Sequence, residues 1–101
     1  MKNNEFKFKA KVWLYPGAAA WHFVSVPKTE SAKIKKMFLG LERGFGSFPV
    51  MVKLGQTTWK TSIFPQSKTG EYLLPLKASV RKKENILAGQ TISFRLAVNA
   101  I

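Results

Sequence analysis

The chain has 101 residues, 46% of them apolar, with eight Phe, three Trp and two Tyr, a composition that suits one folded domain around one core and excludes a disordered chain. It contains no cysteine, which excludes disulfides, thiolate catalysis and cysteine-ligated metals. Seventeen Lys and Arg face five acids, for a formal charge of +12, a positive field that attracts nucleic acid, anionic lipid or acidic proteins.

The opening MKNNEFKFKAK passes straight into alternation. It lacks the apolar block and cleavage site of a signal peptide, and no apolar run approaches membrane-spanning length. A cytoplasmic location with no membrane partner is the default expectation. Residues 6–15 put Phe6, Phe8, Ala10, Val12 and Leu14 on one face and Lys7, Lys9, Lys11, Trp13 and Tyr15 on the other, a strand with one buried side. Pro16-Gly17 turns the chain, and residues 20–26, AWHFVSV, form a second strand ended by Pro27. Thr29 fits an N-cap, with Glu30 and Ser31 in the first turn. Ile34, Met37, Phe38 and Leu41 then recur at helical spacing, which predicts a short amphipathic helix broken at Gly40 and Gly44-Phe45-Gly46.

Residues 48–54 alternate as a strand with Val50, Val52 and Leu54 on one side, Gly55-Gln56 makes a two-residue turn, and residues 57–64 form the next strand, stopped by Pro65. After a polar loop over 67–70, residues 72–78 read as a strand whose Pro75 requires an edge or bulge. Ser79 fits a cap for the basic turn 80–86, and residues 90–98 close the chain with Ile92, Phe94, Leu96 and Val98 inward. About six strands and two short helices predict a mainly β protein, a small closed barrel with helical corners. An internal echo accompanies this pattern. Val26-Pro27, a helix with Lys35-Lys36, Gly46 and the strand through Val50, Val52 and Leu54 parallel Leu74-Pro75, a turn with Arg81-Lys82, Gly89 and the strand through Ile92, Phe94 and Leu96.

The stretches WHFVSVP (21–27), GFGSFPV (44–50), WKTSIFP (59–65), YLLPLK (72–77) and VRKKENILAGQTISF (80–94) together resemble the bacterial and archaeal DUF1905 domain family. The resemblance spans nearly the whole chain. It implies a double-split β-barrel related to the swapped-hairpin barrels of antitoxin and transition-state regulator proteins. Arg81 and Gly89 keep the spacing of those regulators, whereas the interval from Pro75 to Arg81 is longer. Two chains build the regulators' barrel, while the echo here gives both halves to one chain. No activity follows from the resemblance.

Few residues carry chemistry. His22 is the only histidine, and with no Asp or Cys a metal set would need several scattered glutamates, so no metal or cofactor is expected. Thr61 and Ser62 lack an evident base other than His22, and strand hydroxyls bonding the backbone account for them better than a nucleophile does. Gly44-Phe45-Gly46 leads into a strand instead of opening a helix, so it reads as a turn needing positive φ and not as a phosphate loop. Trp59 reads as a core or barrel-mouth ring. Arg81 reads as a pin on backbone carbonyls or Glu84, leaving Lys82 and Lys83 as the freer charges.

The face formed by Lys7, Lys9, Lys11, Trp13 and Tyr15 stands out. Three ammoniums about 6.8 Å apart followed by two rings suit a phosphate backbone with stacked bases. Strand lysines that prevent edge pairing are the competing reading. The expectation is therefore a non-enzymatic binding module for a polyanion, nucleic acid first, through Lys7, Lys9, Lys11, Trp13, Lys82 and Lys83. The alternative is a small molecule or protein partner at a barrel mouth formed by Trp21, Trp59, Ser62 and Arg81, with charge serving solubility. A hydrolase built on Thr61, Ser62 and His22 ranks third.

Overall fold

The structure is a computed structural model that describes residues 5–17 and 21–99. Ala20, expected to open the second strand, lies outside the described residues. Six antiparallel strands, β1 (Glu5–Leu14), β2 (His22–Ser25), β3 (Phe48–Leu54), β4 (Thr57–Pro65), β5 (Tyr72–Pro75) and β6 (Thr91–Val98), close a barrel in the order β1-β2-β5-β4-β3-β6. Two helices, α1 (Lys28–Met37) and α2 (Ala78–Glu84), follow β2 and β5. The fold is the mainly β closed barrel with two helices that the sequence predicts.

Two long strands change partner along their length, and this splits the barrel twice. From Glu5 to Lys11, β1 pairs with β6, and from Val12 to Leu14 it pairs with β2. From Thr57 to Ile63, β4 pairs with β3, and Phe64 and Pro65 then pair with β5. At the β1 handover, Val12 N–H donates to Gln90 O and Gly89 N–H donates to Val12 O, at 2.8 and 2.7 Å. These bonds satisfy backbone groups that a clean ladder would leave open.

The interior is filled by the alternate residues of each strand. Phe6, Phe8, Val12, Val24, Val50, Val52, Ile63, Leu74, Phe94, Leu96 and Val98 are all buried, and burying such a side chain stabilises by about 1.5–3 kcal/mol. Phe8 and Phe94, paired across β1 and β6, meet edge to face with centroids 4.4 Å apart. At the end where β3 begins, α1 closes the barrel with Ile34 and Phe38, whose ring packs on Phe48, itself packed on Tyr72. At the end where β4 begins, α2 contributes Val80, and Glu84 accepts hydrogen bonds from Thr57 Oγ1 and Gln56 N–H.

The echo in the sequence is a topological symmetry. Exchanging β1 with β4, β2 with β5 and β3 with β6 returns the same barrel order read backwards. Register fixes which residues correspond. Trp13 faces Phe23 as Phe64 faces Leu73, and Phe8 faces Phe94 as Trp59 faces Val52. The hairpin mouths match as well, since Tyr15 N–H donates to Trp21 O and Gln66 N–H donates to Glu71 O, both at 2.9 Å. Helix entry follows the same rule, with N-cap Pro27 before α1 and N-cap Lys77 before α2. The counterpart of Pro27 is thus Lys77, two places from the Pro75 that the echo aligned with it.

Several local expectations change. Both helices start earlier than expected, because the extended Pro27 and Lys77 act as caps without a side-chain bond. Thr29 lies inside the first turn of α1 and Ser79 inside α2, so neither is a cap. Strand β5 ends at Pro75, where the missing N–H costs least, and does not run to residue 78. Leu14, expected inward, is 51% exposed because β1 has passed the rim of the barrel there; Met37 and Leu41 are likewise exposed. At Gly44–Gly46 it is Phe45 and Gly46 that take positive φ, 61° and 73°.

Candidate functional site

Because β1 alternates, its outward positions form one continuous row. Lys7, Lys9 and Lys11 are exposed, and Trp13 and Tyr15 follow on the same side. Lys7 stands directly opposite Arg95 of β6, and Arg95 directly opposite Lys53 of β3. Three cations therefore lie abreast across three neighbouring strands. Like charges facing one another in a ladder are destabilising, so the barrel itself gains nothing from this arrangement. With Lys9, they line a groove of about 420 Å³ whose walls also include Gly55, Ser93, Phe8 and Phe94. By symmetry the Lys53–Arg95 pair maps onto itself, and it sits where the two halves meet.

Past Lys11 the row becomes aromatic. Phe23 of β2 is the hub of a cluster with Trp13, Tyr15 and Trp21, at centroid distances of 5.3, 5.8 and 5.9 Å. Trp21 stacks on Phe23 at 28° between planes. Trp13 is held in place by donating Nε1–H to Ser25 Oγ at 3.1 Å. Its ring is half-buried, whereas Trp21 is 58% exposed and Tyr15 48%. The more accessible rings are thus Trp21 and Tyr15, and Trp13 is a supporting ring.

The other half of the barrel serves as an internal control. The counterparts of Trp13, Tyr15, Trp21 and Phe23 are Phe64, Gln66, Glu71 and Leu73, and those of Lys7, Lys9 and Lys11 are Thr58, Lys60 and Ser62. The same backbone therefore closes without four clustered rings and without three successive lysines. Neither feature is imposed by the fold.

The expected barrel-mouth residues separate. Trp21 and Arg81 line one cavity of about 600 Å³ together with His22, Thr61, Phe64, Pro75, Leu76 and Lys77. Trp59 is not there: it is 7% exposed and packs in the core, in the place that Phe8 takes in the other half. Ser62 pairs with Pro49 on β3 and does not line the cavity, whereas Thr61 and His22 do. Arg81 donates Nε–H to Leu76 O at 3.1 Å, tying α2 to the end of β5. Lys82 borders a separate groove that it shares with Arg81, and Lys83 is exposed on α2; neither lines the groove of Lys7 and Arg95.

Lys53, Arg95, Lys77 and Phe23 complete the surface, and sequence reading passed over them. Outward alternation on β3 and β6 gave the first two as exposed, but only the register sets them beside Lys7. Among the described residues, no group of three or more His, Asp or Glu is placed to hold a metal ion, and no helix is long and apolar enough to cross a membrane.

No curated protein matches the chain. Residues 8–96, from the second core phenylalanine of β1 to Leu96 in β6, match the family model described as "Domain of unknown function (DUF1905)", and the chain belongs to that family.

Proposed function

We propose that this protein is a non-enzymatic module that binds single-stranded nucleic acid along the outer face of β1. The observation that carries this reading is continuity: β1 contributes Lys7 and Lys9 to a four-cation groove and, past Lys11, Trp13 to a four-ring aromatic cluster. Phosphates follow Lys53, Arg95, Lys7, Lys9 and Lys11, and bases stack on Tyr15 and Trp21 beyond them. Lysine suits this role because it attracts phosphate as a point charge without selecting a base. Exposed rings suit it because every base has a face to stack, so binding tolerates sequence and requires unpaired bases.

Fluorescence anisotropy with labelled single-stranded DNA, RNA and duplex over a salt series, with heparin as competitor, tests this. About five phosphate contacts give a slope of about −3.5 in log K against log salt for a single strand. Single strands should outcompete both duplex and heparin. Equal affinity for heparin would mean that the charge acts as a diffuse field and the rings take no part.

A second reading rests on the cavity beside Trp21, which lies within the usual range of small-molecule sites, about 300–1,000 Å³. There the ligand is a small molecule or partner protein, and charge serves solubility. Reversing Lys7, Lys9 and Lys11 to Glu leaves such binding intact, whereas Trp21→Ala removes it.

A further inference from the structure

A cavity lies between β2, β4, β5 and α2, and Trp21 belongs both to it and to the aromatic cluster. One face of that ring is engaged with Phe23, and the residue also lines the cavity. A strand of bases crossing the cluster therefore reaches the cavity mouth as its next step. We infer that this cavity takes one nucleobase of the bound strand, with its phosphate at Lys77 and Arg81. The inference rests on the single-strand reading above and adds a site of base recognition to it.

The lining suits a heterocycle carrying an anion. Trp21, Phe64, Pro75 and Leu76 supply apolar walls, and Phe64 is 40% exposed, so its ring is available at the edge. Thr61 and His22 bring a hydroxyl and an imidazole to the same space, the groups that read a base edge by hydrogen bonds. Lys77 is exposed at the rim and Arg81 is half-buried. No acid lines the cavity.

The symmetry gives an independent comparison. The counterparts of Trp21, Thr61, Lys77 and Arg81 are Glu71, Ala10, Pro27 and Ser31. Against these counterparts the cavity side gains a ring at Trp21, a hydroxyl at Thr61 and cations at Lys77 and Arg81, while Phe64 and His22 stand where the other half has the rings of Trp13 and Tyr72. The volume, about 600 Å³, lies within the range of sites that enclose a small ligand.

The test uses the full chain and nucleoside 5′-monophosphates, read by the methyl resonances of Thr61 and Leu76 and the indole N–H of Trp21, alongside a single-stranded oligonucleotide and inorganic phosphate. Both the mononucleotide and the oligonucleotide should move these resonances. Thr61→Val and Phe64→Ala should each weaken mononucleotide binding by about tenfold, while Lys7→Gln with Lys9→Gln leaves it unchanged and weakens the oligonucleotide. An oligonucleotide that binds along Lys7 to Tyr15 and leaves Thr61 and Leu76 unmoved would overturn the base site and leave the single-strand reading in place. Equal shifts from inorganic phosphate alone would also overturn it, since no base would then be needed. If no oligonucleotide binds at all, the reading on which the site rests is lost and the site with it.

Discussion

Ser31 and Arg81 occupy equivalent positions in the two halves of the barrel, each donating a side-chain hydrogen bond to the carbonyl five residues earlier. Ser31 Oγ reaches Val26 O at 2.9 Å, and Arg81 Nε reaches Leu76 O at 3.1 Å. One task, satisfying the carbonyl just past the end of a strand and before a helix, is done by the smallest hydroxyl on one side and by a long cation on the other. The serine corner is sealed: Ser31 is fully buried and also accepts from Tyr72 N–H at 3.0 Å. At the arginine corner, part of the guanidinium side chain remains at the surface and lines the cavity beside Trp21.

Stability should therefore respond unequally at the two corners. Ser31→Ala strands a buried acceptor and a buried donor, each worth about 1–3 kcal/mol when unsatisfied, and a loss of about 2–4 kcal/mol is expected in denaturant unfolding. Arg81→Met removes one bond from a half-buried side chain and should cost about 1 kcal/mol.

The cations abreast of Arg95 carry a double signature. Arg95→Gln removes the charge that faces both Lys7 and Lys53. It should leave folding unchanged or raise stability by a few tenths of a kcal/mol, while the salt slope of single-strand binding falls by about 0.7. Thermal unfolding and anisotropy on the same preparation read both effects. A destabilised Arg95→Gln with an unchanged slope would assign Arg95 to the fold.

The tryptophans should divide by role. Trp21→Ala and Tyr15→Ala should each weaken oligonucleotide binding by about 1–3 kcal/mol with little change in unfolding midpoint. Trp59→Ala opens the core and should cost about 3–5 kcal/mol of stability. Midpoints from urea titration and affinities at fixed salt separate the two classes.

Alkaline pH tests the packing beneath α1. Burial, and after it the negative charge of Glu42, pushes the Tyr72 phenol above its ordinary value. The unfolded chain then loses that proton first, near pH 10. The contribution is complete below that pH and is lost as pH rises from there through the higher folded value. Stability should decline above about pH 10, and Tyr72→Phe should flatten that decline.

Much of the fold was legible because alternation is local. Phe6, Phe8, Val12, Phe94, Leu96 and Val98 announce their faces without reference to any partner strand. Residues set by long-range pairing were not legible. Arg95 reads as one exposed arginine until register sets it between Lys7 and Lys53, and Leu14 reads as core until the barrel rim is placed. Prolines misled the alignment of the halves for the same reason. Pro27 caps a helix and Pro75 ends a strand, so the residue type repeats where the structural position does not. In the candidate site, the lysine row was visible in the sequence. The hub at Phe23 was not, because it joins two strands.

The most direct measurement is an amide and indole chemical-shift map of the full chain titrated with a mixed-sequence single-stranded oligonucleotide at two salt concentrations. Binding as proposed should concentrate the changes on Lys7, Lys9, Lys11, Tyr15, Trp21, Lys53 and Arg95, and keep the Trp21 indole shift at the higher salt. Changes spread over the equally basic Lys33, Lys35 and Lys36 of α1 and Lys82 and Lys83 of α2, fading together with salt, would contradict it.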